Sequence, residues 1–191
     1  MRWWRLATLA LSQTLPWRSR MSSTSILLIS ALALMTAAPA ALAGTYPLKG
    51  AADGAGGQVT LTDGPRGVIV RVEAHGLKPG WHAAHFHEKA DCSDAMFKSA
   101  GGHVHMMMPA IHGLLNPAGN DFGDLPNLFA GPGGTATAEF FSPFVSLQVG
   151  TARANLLDTD GSALVIHANP DDYTTQPIGG AGERVACAEI R

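Results

Sequence analysis

Eight histidines are the side chains of this 191-residue sequence best suited to chemistry: His75, His82, His85, His87, His103, His105, His112 and His167. His85 and His87 stand two apart. On a strand, where side chains alternate between faces, that spacing turns both imidazoles to one side, and their neutral ring nitrogens can share a metal ion. Taken alone, the pair fits a solvated strand face equally well. His167, at the end of the apolar run Ala163 to Ile166, likewise fits a core histidine satisfied by backbone. The combination points elsewhere, because His103, His112, Asp121 and Asp124 follow in one stretch. Imidazole mixed with carboxylate is a donor set for zinc or copper rather than for calcium or an iron–sulfur cluster.

Such donors need a rigid frame, and the sequence reads as β-rich. Val59 and Leu61 in Gln58 to Thr62, and Val68, Val70 and Val72 in Gly67 to Glu73, alternate with their neighbours as half-buried strands do. Asp63-Gly64-Pro65-Arg66 between them reads as a turn. Trp81 to Glu88, Thr135 to Phe140, Leu147 to Gly150, Ala163 to His167 and Val185 to Ile190 are further strand candidates. No segment has the pattern of a long amphipathic helix. Many short strands predict an antiparallel barrel or sandwich, with Lys89 to Asn127 and Asn169 to Glu183 looping out. Loops that long in a small domain carry function.

The N-terminal region reads as a leader. Ile26 to Leu34 is apolar, and Ala41-Leu42-Ala43 before Gly44 is the small-residue pattern of a signal-peptidase site. Residues 1–43 are therefore expected to be removed, leaving 44–191 as one exported or periplasmic domain with no stable membrane span. Initiation at Met1 or at Met21 fits this reading equally. The whole chain carries 13 basic and 15 acidic residues, a formal charge of −2. Loss of the leader's four arginines and no acid leaves nine against 15, or −6, a surface unsuited to nucleic acid. The only cysteines, Cys92 and Cys187, fall in the exported part, where an oxidising compartment permits a disulfide.

Five ordered stretches resemble the copper–zinc superoxide dismutases. They are Gly80 to Glu88 (GWHAAHFHE), Phe97 to His103 (FKSAGGH), Gly123 to Asn127 (GDLPN), Val165 to Tyr173 (VIHANPDDY) and Pro177 to Cys187 (PIGGAGERVAC). The likeness runs from about Tyr46 to Arg191 and implies an eight-stranded Greek-key β-barrel with two long functional loops. It also implies copper bound by His85, His87, His103 and His167, and zinc bound by His103, His112 and Asp124. His103 would be an imidazolate shared by the two metals. Asp171 would join ligand histidines of both metals by hydrogen bonds, and His82 would be a framework residue. Arg184 would attract the anion beside copper, and Cys92 and Cys187 would form the intrasubunit disulfide.

The implied activity is conversion of superoxide to oxygen and hydrogen peroxide by cycling Cu(II) and Cu(I), with His103 released and protonated in the cycle. A homodimer is open to such a chain. Three departures from the family pattern stand out. Asp121 takes the place of the usual zinc histidine, which would make a His2Asp2 site more anionic. Ala83 and Ala84 replace the usual Gly and Phe, so neighbouring side chains must fill the core volume. His105 and Met106-Met107-Met108 follow the bridging position, either as ordinary apolar packing or as soft partners for Cu(I). A copper storage or delivery protein on the same barrel is the alternative function, and a zinc hydrolase ranks behind it for want of a general base beside an open zinc.

Overall fold

The computed structural model describes residues 41–191. Nearly all of the expected leader lies outside the described residues. Eleven strands follow in chain order: β1 (Ala43–Gly50), β2 (Gly56–Gly64), β3 (Gly67–His75), β4 (Gly80–His82), β5 (Ala84–His87), β6 (Leu128–Ala130), β7 (Ala136–Ser142), β8 (Val145–Ser146), β9 (Ala154–Asn155), β10 (Ser162–His167) and β11 (Arg184–Ile190). Seven pair in the order β5-β10-β11-β1-β2-β3-β7, every neighbouring pair antiparallel. β4 pairs with β6. β4 runs into β5 across Ala83, and β6 turns into β7 through a tight loop in which the Gly131 N–H donates to the Thr135 carbonyl at 2.9 Å. The sheet therefore curls round on itself. With β4 and β5 counted as one interrupted strand, and the short parallel pair β8–β9 set aside, the eight expected strands remain.

Alternation builds the core. Val59 and Leu61 of β2 and Val68, Val70 and Val72 of β3 are fully buried in one cluster with Ala84, Phe86, Leu128, Leu164 and Ile166. Each such aliphatic side chain contributes about 1.5–3 kcal/mol on burial. Ala84 thus sits inside the core, as the missing ring required. β10 is buried on both faces. Leu164 and Ile166 enter the main cluster, while Ala163 and Val165 join Cys92, Phe97, Ala100 and Cys187 in a second cluster.

Two strand readings are corrected. Leu147 to Gly150 is not a strand, because pairing stops at Ser146 and the next residues turn. Asp63 is not a turn residue but the penultimate residue of β2, and it is buried. Its Oδ1 accepts from Arg153 Nη1 at 3.1 Å and its Oδ2 accepts from Ser146 Oγ at 3.0 Å. The ion pair ties the β8–β9 region to the end of β2. β1, β6, β8 and β9 were not expected from the sequence. Among the described residues, no helix is long and apolar enough to cross a membrane.

Candidate metal centre

β5 sets the frame of the site. Phe86 points into the main core, so His85 and His87 face outward together. One edge of β5 pairs with β10, and the other is closed by the long loop, which places His103 opposite His87 and Asp124 opposite His85. The Phe86 N–H donates to the Gly123 carbonyl at 2.8 Å, and the Val104 N–H donates to the Phe86 carbonyl at 2.9 Å. Residue 123 must be small here, since a Cβ would lie 2.3 Å from the Phe86 oxygen. β10 delivers His167 to the same face, at a register shift just after Ile166.

His85, His87, His103 and His167 are all buried, and one donor atom from each lies within 4.8 Å of the others. In every ring one nitrogen is engaged and the other has no partner. His85 Nε2 donates to Asp171 Oδ2 at 2.9 Å, and His87 Nδ1 to the Gly101 carbonyl at 3.0 Å. His103 Nδ1 donates to Asp121 Oδ2 at 2.7 Å, and His167 Nδ1 to the Gly182 carbonyl at 3.1 Å. Among the described residues, the buried side-chain nitrogen and oxygen atoms without a partner are His85 Nδ1, His87 Nε2, His103 Nε2 and His167 Nε2, besides Ser142 Oγ. A buried polar atom left unsatisfied costs about 1–3 kcal/mol. Four convergent nitrogens are therefore a costly arrangement unless a metal takes their lone pairs.

A second compact set comprises His85, His103, His112 and Asp124. His112 Nδ1 donates to Asp124 Oδ1 at 2.7 Å, and His103 Nδ1 lies 3.3 Å from that oxygen. Asp121 stands beside the set, its Oδ2 2.7 Å from His103 Nδ1 but 3.9 Å from His112 Nδ1. Asp171 links the two sets, accepting from His85 Nε2 through Oδ2 and from His112 Nε2 through Oδ1 at 3.0 Å. Asn127 grips the Asp171 backbone, accepting from its N–H at 2.8 Å and donating to its carbonyl at 2.9 Å. That clamp was not read from the sequence, although Asn127 closes one of the quoted motifs. Gly179 at φ +60 leaves room for the carboxylate, because a Cβ there would meet Asp171 Oδ1 at 1.7 Å.

Arg184 is half-buried beside these rings. Its guanidinium donates to the Phe97 carbonyl and, at 2.6 Å, to the Gly101 carbonyl, which also accepts from His87. The Cys92–Cys187 disulfide is formed and joins the loop to β11, the strand that begins with Arg184. His82 is a framework residue, with Nδ1 2.7 Å from the His167 carbonyl and Nε2 2.6 Å from the Lys78 carbonyl. His75 is exposed at the end of β3.

Charge divides the rings into two groups. Burial holds His85 and His87 below the usual imidazole range and His167 down to about 3, so these three are neutral at pH 7. Burial also opposes charge on His112 and His103, but hydrogen bonds to carboxylates prevail. Asp124 and Asp171 push His112 up to about 10, and Asp121 and Asp124 raise His103. Burial would raise Asp124, yet its bonds to His103 and His112 bring it down to about 2. Neutral nitrogens on His85, His87 and His167 suit the all-imidazole set to a borderline metal such as copper, with His103 joining it on loss of its proton, and the mixed oxygen and nitrogen set suits zinc.

Comparison with known proteins gives one answer. Residues 55–190 match the family model described as copper/zinc superoxide dismutase. The chain is 62% identical over 135 residues to a superoxide dismutase [Cu-Zn] of Caulobacter vibrioides, covering 71% of this chain and 78% of that protein. It is 41% identical over 136 residues to a superoxide dismutase [Cu-Zn] of Aquifex aeolicus, covering 71% of this chain and 78% of that protein. Among solved structures, a SOD-like protein from Bacillus subtilis superposes with a TM-score of 0.71 at 33% identity, over 78% of this chain and all of that one. The Cu/Zn superoxide dismutase from Brucella abortus gives 0.61 at 27% identity, again over 78% of this chain and all of that one.

Proposed function

The chain belongs to the copper/zinc superoxide dismutase family, and from that premise we propose that it converts superoxide to oxygen and hydrogen peroxide at copper held by His85, His87, His103 and His167. The observation that carries the assignment is the set of four converging, partnerless ring nitrogens. Copper in that set would supply a one-electron couple, taking an electron from one superoxide and returning it to a second.

The chain's own groups do the rest. Asp171 and the Gly101 and Gly182 carbonyls fix the tautomers of His85, His87 and His167, keeping the free lone pair of each ring aimed inward. His103 has one nitrogen in each donor set, so it joins the two sites and can hold a proton at Nε2 for the peroxide product. Arg184, held flat by two carbonyls, presents a fixed positive charge that draws in a small anion. Zinc is assigned to His103, His112 and Asp124, with Asp121 as the fourth donor in place of a histidine. In this reading residues 1–43 direct export to the periplasm and the disulfide forms there.

The test is to express Gly44 to Arg191 in an oxidising compartment, count copper and zinc, and measure superoxide removal beside Arg184→Ala. Turnover that falls in the variant and weakens with salt in the native chain supports the assignment. Full copper occupancy without turnover would instead favour copper storage or delivery.

A further inference from the structure

The methionines after the bridging position are not packed into the loop. Met106, Met107 and Met108 are 52%, 56% and 75% exposed, three consecutive residues in a segment of successive bends. His105 stands directly before them. Its Nδ1 donates to the His103 carbonyl at 2.8 Å, which fixes the tautomer and leaves the Nε2 lone pair free. His105 and Met106 both line a cavity of about 530 Å³ whose wall also includes Glu88, Asp158 and Asp160. Packing does not explain these side chains, and neither donor set uses them.

Thioethers with one imidazole are soft donors that select Cu(I) over Cu(II) and over zinc. We propose that His105 and the thioethers of Met106, Met107 and Met108 form a surface Cu(I)-acceptor site that takes up copper and passes it to the buried histidines. His105 is tied directly to the buried set, because its Nδ1 bond goes to the backbone carbonyl of His103, a member of that set. Transfer is ligand exchange: Cu(I) leaves sulfur and imidazole for the buried imidazole nitrogens, with no electron moved and no oxidant needed, and the proton displaced from His103 passes to solvent. The inference rests on the assignment of copper to His85, His87, His103 and His167.

The test uses metal-free Gly44 to Arg191 titrated anaerobically with Cu(I) against a chromophoric Cu(I) chelator. The native chain is expected to bind two equivalents. A variant carrying Met106→Leu, Met107→Leu and Met108→Leu is expected to bind one, to fill more slowly from limiting Cu(I), and once loaded to remove superoxide at the native rate. Equal stoichiometry and equal filling rate in the two proteins would overturn the proposal. Independently of any variant, carbon-13 methionine methyl resonances of the native chain should shift at Met106 to Met108 on adding Ag(I), and unmoved resonances would also overturn it. One equivalent bound at the methionines and none inside would leave this site standing and sink the proposed function, whereas one bound inside and none outside does the reverse.

Discussion

Replacing Asp171 by asparagine keeps the volume of the side chain and removes half of its accepting power. In the native chain the two carboxylate oxygens accept from His85 Nε2–H, His112 Nε2–H and the Tyr173 N–H. An asparagine offers one carbonyl and one NH2, so one histidine keeps its acceptor and the other meets a donor. If His85 is the loser, its least costly relief is to move the proton from Nε2 to Nδ1, the nitrogen that has no other partner. That puts a hydrogen on the atom assigned to copper. If His112 is the loser, its ring loses the bond that orients Nδ1 towards Asp124. Loss of such an outer partner costs about 10–100-fold in metal affinity, or about 1.4–2.8 kcal/mol. Competition titrations of the metal-free Asp171→Asn chain with Cu(II) and Zn(II) read this directly, with circular dichroism to show that the barrel persists. Unchanged affinity for both metals would refute the tautomer argument.

Gly179→Ala should act through the same carboxylate, because its Cβ would overlap Asp171 Oδ1 at a left-handed φ; a metal loss at least as large as that of Asp171→Asn is expected by the same titration. Changing both Cys92 and Cys187 to serine opens a crosslink between residues 95 apart, and urea unfolding should show a loss of about 4–5 kcal/mol in the chain-entropy picture. Zinc uptake by the metal-free chain at pH 7 should release protons, since His112, pushed up to about 10, and His103, raised, must lose them to ligate. Calorimetry in buffers of different ionisation enthalpy measures that release, and apparent affinity should fall as pH falls. The same raised His112 value stabilises the metal-free fold fully below its ordinary 6.5, and that contribution fades as pH rises through about 10.

Much of the site was legible because metal ligation demands particular residue types at fixed strand spacing. His85 and His87 declare their common face by period two, and the run before His167 declares its strand. Long-range partners carry no such local signal. Asp63 sits beside Gly64 and Pro65 and reads as a turn, yet it lies within β2 and meets Arg153, 90 residues later. β1 was missed because only Leu48 is buried, Tyr46 is half-buried and Thr45, Pro47 and Lys49 face outward, so the run shows a short apolar face. Leu147 to Gly150 has strand composition, but the backbone turns after the Leu147 N–H donates to Asp63 Oδ2 at 3.2 Å. Asp121 was singled out as a departure, but its closer approach to His103 than to His112 belongs to tertiary geometry alone.

The most direct measurement of the central claim is the product stoichiometry of the copper-loaded chain mixed with a known pulse of superoxide. One oxygen and one hydrogen peroxide are expected for every two superoxide ions consumed, repeated over many turnovers and absent from the copper-free chain. A loaded chain that consumes no more superoxide than its own copper can reduce, and then stops, would contradict it.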